Sequence, residues 1–291
     1  MITAEEIAAN CEKKSFFSRF LSQIETHGQA GQAVESNLVP VRAVGRPPSD
    51  LKTNAAMYLH PLLAKMPPAE REALIKRSEF RSYRRSETVM AAQEWTDCIY
   101  CVTSGLLRVV EHGSDPSGDV TTDFIRRNDF FLGPSLGEDR YVARQTLVAA
   151  LPSSAYLIPI PVARKLCEDH PEVAMGLFEF AATRIRALRS QLRKISALSS
   201  EDLVSRVLHQ LTQLAPASTG GFDKRITQAV IASYTGLSRE VVNKIMRDLE
   251  SRGLVWRDGQ SVHVSTEFAS TDIGGLEPIG SPPLNKREAG L

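Results

Sequence analysis

The clearest periodic pattern of apolar and polar residues lies near the carboxyl end of the chain, in residues 227–249. Apolar side chains recur at helical spacing on both sides of a short break at Gly236, a residue that adopts a positive φ without steric cost. Ser238 follows the break, and its hydroxyl can cap the amino terminus of the second segment. The pattern predicts two short helices joined by a tight turn, a helix-turn-helix.

Two short apolar runs follow this motif, over 254–257 and 260–264, on either side of Asp258 and Gly259. An Asp-Gly pair favours the type I′ turn of a β-hairpin, because the twist of that turn matches the twist of the strands. A helix-turn-helix followed by a hairpin is a winged helix. The alternative is a generic three-helix core with a β-tail. The winged helix makes double-stranded DNA the predicted partner.

The second helix carries charged side chains at its amino-terminal end. Arg239 can donate twice to guanine, Glu240 can accept from cytosine, and Lys244 can reach guanine or a phosphate. Glu240 also has a purely local interpretation, since a carboxylate in the first turn complements the helix dipole. The residues predicted to contact DNA are Thr227, Ser238, Arg239, Glu240, Asn243, Lys244 and Arg257.

The middle of the chain changes to short apolar runs broken by turns, after a helix predicted over 67–76. Several short strands at such spacing predict a small antiparallel roll or sandwich. The predicted strands are 79–83, 88–91, 98–102, 105–111, 120–125, 142–149 and 155–160.

One long helix is predicted over 171–197, between the roll and the winged helix. Its apolar residues recur at alternating three- and four-residue steps, which is the heptad pattern of a helix seam. Such a stripe can pack on the roll or on a second copy of the same helix. We predict a parallel dimer interface, and its predicted residues are Phe178, Ile185, Leu188, Leu192 and Ile195.

Three stretches, 236–246, 249–255 and 97–110, together resemble the CRP/FNR family of bacterial transcription regulators. The resemblance implies an α+β chain with an antiparallel β-roll sensor domain, a long dimerisation helix and a winged helix-turn-helix DNA-binding domain. It also implies a homodimer that reads a palindrome with GTGA half-sites and acts on RNA polymerase. The implied base-reading residues are Ser238, Arg239, Glu240 and Lys244, and many members carry arginine in place of this lysine.

The resemblance and the composition divide the chain into five parts. The tail is rich in Gly, Pro and Ser, which favours disorder. The predicted divisions are an amino-terminal extension of helix and linker (1–54), the sensor roll (55–165), the dimerisation helix (166–200), the DNA-binding domain (201–267) and a disordered tail (268–291).

The resemblance leaves the effector open. Cyclic-nucleotide binders of the family carry a glutamate for the ribose and an arginine for the cyclic phosphate. Counting back from Tyr156 places Arg144 at the arginine position and Pro134 at the glutamate position, which disfavours the standard cyclic-nucleotide mode. A cyclic dinucleotide held by the arginines of the long helix is the alternative, although such a run is also typical of a solvated face. The predicted effector contacts are Gly133, Arg144, Gln145, Thr146, Arg189, Gln191 and Leu192.

Composition narrows the function further. The net charge of the 291 residues is only +1, so affinity for DNA must come from local arrangement. The sequence carries neither an apolar run of transmembrane length nor a secretory signal, and we expect a cytoplasmic protein. Cys98 and Cys101 lie three apart in a predicted strand and therefore point to opposite faces, which predicts buried thiols rather than metal ligands.

No arrangement of nucleophile, base or paired carboxylates stands out in the sequence, so we do not expect an enzyme. Two alternatives to an effector-controlled regulator stay open. One is a regulator of the same family that senses redox state or haem, and the other is a nucleotide-binding module that acts on a partner protein.

Overall fold

The computed structural model describes residues 56–64, 66–112, 118–133, 136–266 and 268, with the backbone alone at 194 and 195. The predicted extension 1–54, nearly all of the predicted tail, Pro134 and the side chain of Ile195 lie outside these residues. None of the described helices is both long enough and apolar enough to span a membrane.

The described part of the chain contains helices and antiparallel strands in an α+β order. The helices are α1 Pro68–Arg77, α2 Ile160–Asp169, α3 Pro171–Ala197, α4 Ser200–Leu214, α5 Gln228–Thr235 and α6 Arg239–Ser251. The strands are β1 Glu79–Tyr83, β2 Thr88–Met90, β3 Trp95–Thr96, β4 Cys98–Ser104, β5 Leu106–Glu111, β6 Val120–Arg126, β7 Phe130–Phe131, β8 Tyr141–Val142, β9 Thr146–Ala149, β10 Ser153–Pro159, β11 Phe222–Asp223, β12 Val255–Arg257 and β13 Ser261–Val264.

The predicted roll is confirmed. Its two four-stranded antiparallel sheets have the orders β1-β10-β4-β7 and β2-β9-β5-β6, and both contribute side chains to one buried core. Val102 and Leu157 come from the first sheet, and Leu107 and Leu147 come from the second. The small pair β3-β8 adds a separate two-stranded sheet.

The sequence prediction of the roll misses several elements. The run 142–149, predicted as one strand, is divided between β8 and β9, and the strands β3 and β7 are absent from the prediction. Each of β3, β7 and β8 has two residues, too few to show an alternation of apolar and polar side chains. Helix α2 is also absent from the prediction; it begins directly after β10 and carries Pro161 in its first turn, a position that proline fits.

The helix-turn-helix is confirmed in its local details. Helix α5 ends at Gly236, whose φ is 70°, and α6 begins after Ser238, whose hydroxyl accepts from the N–H of Val241. Strands β12 and β13 pair antiparallel as the predicted hairpin, with Val255 opposite Val264. Strand β11 extends this pair to a sheet of order β11-β13-β12, an addition that the sequence pattern does not reveal.

The long helix α3 has the predicted bounds. Val173 and Leu177 of its first turns are buried against the core that includes α1, α2 and β4. Farther along the helix, Phe178, Ile185 and Leu188 keep 67%, 49% and 40% of their surface exposed. A single chain therefore leaves an apolar stripe of α3 in contact with water.

Candidate DNA-reading surface and effector cavity

The amino-terminal end of α6 forms an exposed polar surface. Arg239 and Glu240 are its first residues, and Lys244 lies one turn further on; all three are exposed, and Asn243 between them is half-buried. The opposite face of α6 is anchored in the core by Val242, Met246 and Leu249. The predicted base-reading side chains thus project from a rigid, well-packed helix.

Two predicted DNA contacts also act as helix caps. The hydroxyl of Thr227 accepts from the N–H of Val230 at the start of α5, and Ser238 caps α6. Hydrogen bonds from its own backbone N–H and from the Ser238 hydroxyl lower the pKa of Glu240. Glu240 therefore stays ionised and keeps the acceptor character that a cytosine amino group requires.

The wing places Arg257 on β12, where its Nε donates to Glu250 at the end of α6, 2.7 Å away. The turn between β12 and β13 is closed by Asp258, whose carboxylate accepts from the N–H groups of Gln260 and Ser261, each at 2.7 Å. These bonds and the His263 ring hold the pKa of Asp258 well below its usual range. Asp258 thus closes the turn, but the turn is not the predicted type I′ turn, because neither Asp258 nor Gly259 has a positive φ and Arg257 pairs with Val262.

A cavity of about 640 Å³ lies between the roll and α3 and reaches Tyr234 on α5, the first helix of the helix-turn-helix. Its wall is formed mainly by apolar side chains of β5, β6, β7 and α3. Of the predicted effector contacts, the cavity wall contains Gly133, Arg144, Gln145, Arg189, Gln191 and Leu192.

Thr146 does not line this cavity. It is buried in β9, where its hydroxyl accepts from the N–H of Ala92 at 3.1 Å and bonds Nε2 of His112 at 2.7 Å. Gly133, by contrast, lies in the cavity wall, where its backbone conformation and the nearby Tyr141 ring both favour glycine. Its φ is 69°, and a Cβ at this position would lie 2.4 Å from the ring of Tyr141.

Arg184, on the cavity side of α3, is held by the roll. Its Nε donates to Asp123 at 2.6 Å, and its Nη1 donates to Asp129 at 3.3 Å. Burial raises the pKa of both aspartates, and the guanidinium opposes that shift. Arg184 is therefore a mostly buried structural cation, unlike Arg144 and Arg189, which are exposed.

The predicted burial of the strand cysteines is confirmed. Cys98 and Cys101 are both free and buried in β4, and they belong to two different cores because their side chains point to opposite faces. Burial raises the pKa of each thiol. Among the described residues, no cluster of three or more His, Cys, Asp or Glu side chains is close enough to hold a metal ion.

Comparison with known proteins finds two families along the chain. Residues 80–170 match the cyclic nucleotide-binding domain, and residues 204–266 match the Crp-like helix-turn-helix domain. The first match covers most of the roll and α2, and the second covers the winged helix. The helix α3 lies between them.

Curated relatives match both parts of the chain together. The cAMP-activated global transcriptional regulator CRP of Pasteurella multocida is 25% identical over 66% of this chain and 93% of its own length. The CRP-like cAMP-activated global transcriptional regulator of Mycobacterium tuberculosis is 27% identical over 68% and 89%. The structure of FixK2 from Bradyrhizobium japonicum has the same fold, with a TM-score of 0.58 and 20% identity over 66% of this chain and 96% of that one.

Proposed function

Because this chain belongs to the CRP/FNR family of DNA-binding transcription regulators, we propose that it is a homodimer that reads a palindrome through Arg239, Glu240 and Lys244. The observation that carries the proposal is the combination of two exposed surfaces. One is the charged first turn of α6, and the other is the apolar stripe along α3.

Dimerisation through α3 accounts for the exposure of its apolar side chains. A parallel pairing would bury Phe178, Ile185 and Leu188 against their symmetry mates, which is favourable by about 25 cal/mol for each Å² of apolar surface removed from water. A two-fold dimer also presents two recognition helices to the same side of the duplex. Two such helices one helical turn apart read a palindrome.

The reading of bases by α6 is tested by Arg239→Ala. On a palindrome containing GTGA half-sites, we expect the loss of about 1–3 kcal/mol of discrimination at one guanine in each half-site, because a bidentate arginine–guanine contact disappears. Binding is measured by fluorescence anisotropy against cognate and scrambled duplexes. The proposal is wrong about Arg239 if the folded variant keeps the ratio of the two affinities.

The control is Arg257→Ala, on the wing. A phosphate contact from Arg257 carries no sequence information, so its loss weakens binding to all duplexes alike and reduces the salt slope by roughly one unit per subunit. Its ion pair with Glu250 is exposed, and loss of that pair has little effect on stability. The two variants together separate base reading from general affinity.

The proposed regulation is by a small effector in the cavity between the roll and α3. The roll side of the cavity lies in the part of the chain that matches a cyclic nucleotide-binding domain, and the cavity volume is within the usual range of ligand sites. Its exposed arginines, Arg144 and Arg189, suit an anionic group such as the phosphate of a cyclic mono- or dinucleotide.

We expect cAMP itself to bind weakly or not at all, although the relatives named above are cAMP-activated. Pro134 stands where cyclic-nucleotide binders carry the carboxylate for the ribose hydroxyl, and a buried hydroxyl without a partner is costly. Calorimetry measures the binding. Micromolar affinity that is lost in Arg144→Ala but kept in Arg193→Ala, an arginine of α3 outside the cavity wall, would contradict this expectation.

The proposed role is non-catalytic, as in the transcription regulators that the chain resembles. Its proposed macromolecular partners are double-stranded DNA, a second copy of the chain and RNA polymerase. The proposed place of action is the cytoplasm, where these partners meet.

A further inference from the structure

The first helix of the helix-turn-helix is docked on the edge of the roll. Strand β6 is the last strand of its sheet, and its outer edge would otherwise present unpaired backbone groups. Ser233 of α5 covers this edge. Its hydroxyl accepts from the N–H of Thr121 at 2.8 Å and donates to the carbonyl of Asp119 at 2.9 Å.

The neighbouring residue, Tyr234, joins the winged helix to both the roll and α3. Its ring meets that of Phe124 edge-on, with centroids 4.7 Å apart. Its hydroxyl donates to the side-chain carbonyl of Gln191 on α3 at 2.8 Å and accepts from the amide of Gln210 on α4 at 3.1 Å. Burial raises the pKa of Tyr234, so the hydroxyl stays a donor.

The same two side chains, Tyr234 and Gln191, form part of the cavity wall. The winged helix therefore contributes a side chain to the cavity wall in addition to being attached beside it. In this docked arrangement Arg239, Glu240 and Lys244 remain exposed, so the dock does not cover the base-reading surface. The contacts of α5 with the roll and with α3 fix the direction in which α6 points.

We propose that Tyr234 and Gln191 are positioning residues that connect the cavity with the recognition helix. Their hydrogen bond holds the winged helix on the roll in the orientation that reads a palindrome, and a molecule in the cavity acts on DNA binding by contacting this pair. Because the two helices of a dimer must engage two half-sites at once, a change of orientation affects the palindrome and not the single half-site. This inference rests on the proposed function.

The experiment compares two duplexes, a palindrome and a duplex with one intact half-site and one scrambled half-site. In Tyr234→Phe and Gln191→Leu, we expect the affinity for the palindrome to fall at least about five-fold, the lower range of measured couplings between sites. Affinity for the single half-site should stay within about two-fold, because α6 itself is unchanged. The double variant should lose no more than Tyr234→Phe, because that variant already removes the bond to Gln191 together with the bond from Gln210.

The matched control is Tyr83→Phe in the roll. Tyr83 is also a buried tyrosine, but among the described residues its hydroxyl has no hydrogen-bond partner, so its removal should leave both affinities unchanged. Unchanged palindrome affinity in Tyr234→Phe, or an equal loss on both duplexes, overturns the inference. A wild-type protein that does not distinguish the palindrome from a scrambled duplex would instead contradict the proposed function.

Discussion

Replacing Leu188 with glutamate is expected to make the protein monomeric and to lower its affinity for a palindrome by roughly 100-fold or more, the gain that two linked binding sites provide. Leu188 lies on the apolar stripe of α3, where 40% of its surface is exposed in a single chain. In a parallel dimer each glutamate would be buried opposite its symmetry mate. Two unpaired like charges in an apolar seam are costly enough to separate the helices.

The variant folds as a single chain, because position 188 is already exposed to water there. Analytical ultracentrifugation measures its mass, and the affinities for a palindrome and for a single half-site are measured beside it. Arg193→Glu is the control, since Arg193 is exposed on α3 and lies outside the heptad seam. A Leu188→Glu protein that sediments as a dimer and binds the palindrome normally would place the interface elsewhere.

The elements that the sequence predicts well are those whose signals are local. The bounds of α3 follow from its heptad repeat. The helix-turn-helix follows from two local signals. Gly236 adopts a positive φ at the end of α5, and the Ser238 hydroxyl caps α6 by accepting from an N–H three residues further on. The roll is harder to predict. Its two-residue strands exist only because distant strands pair with them, as Trp95 pairs with Val142.

The same difference separates the two candidate sites. The DNA-reading residues are consecutive or one turn apart on a single exposed helix, so spacing alone brings them together. The cavity assembles side chains from strands, from α3 and from α5. Ser233 and Tyr234 were interpreted only as part of the helix-turn-helix, because their partners Thr121 and Gln191 are more than forty residues away in sequence.

Arg184 is the plainest case of this kind. In sequence it is one member of an arginine-rich run on α3, a pattern that is typical of a solvated face and has an anion site as its alternative. Its partners Asp123 and Asp129 lie 61 and 55 residues away, on β6 and in the turn that follows it. Only the fold shows that this arginine forms ion pairs with two aspartates and that only 13% of its side chain is exposed.

Arg184→Leu should therefore destabilise the protein by about 3–5 kcal/mol near neutral pH, because it leaves the buried Asp123 without its cation and Asp129 with only Arg126, 3.7 Å away. Denaturant unfolding followed by circular dichroism measures the loss. The control is Arg186→Leu, two residues on, which is exposed and hydrogen-bonds only to Thr183 among the described partners. The free energy of unfolding of that variant should lie within about 0.5 kcal/mol of the wild-type value.

The loss in Arg184→Leu should shrink as the pH falls from neutral into the acid range. Burial already raises the pKa of Asp123 and Asp129 above the value of 3.8 expected in the unfolded chain, and removal of the guanidinium raises it further. A carboxyl whose pKa is raised by folding destabilises the native state when it ionises, and protonation relieves that penalty at lower pH. A loss that is independent of pH would mean that Arg184 stabilises the junction by packing, with its charge of no consequence.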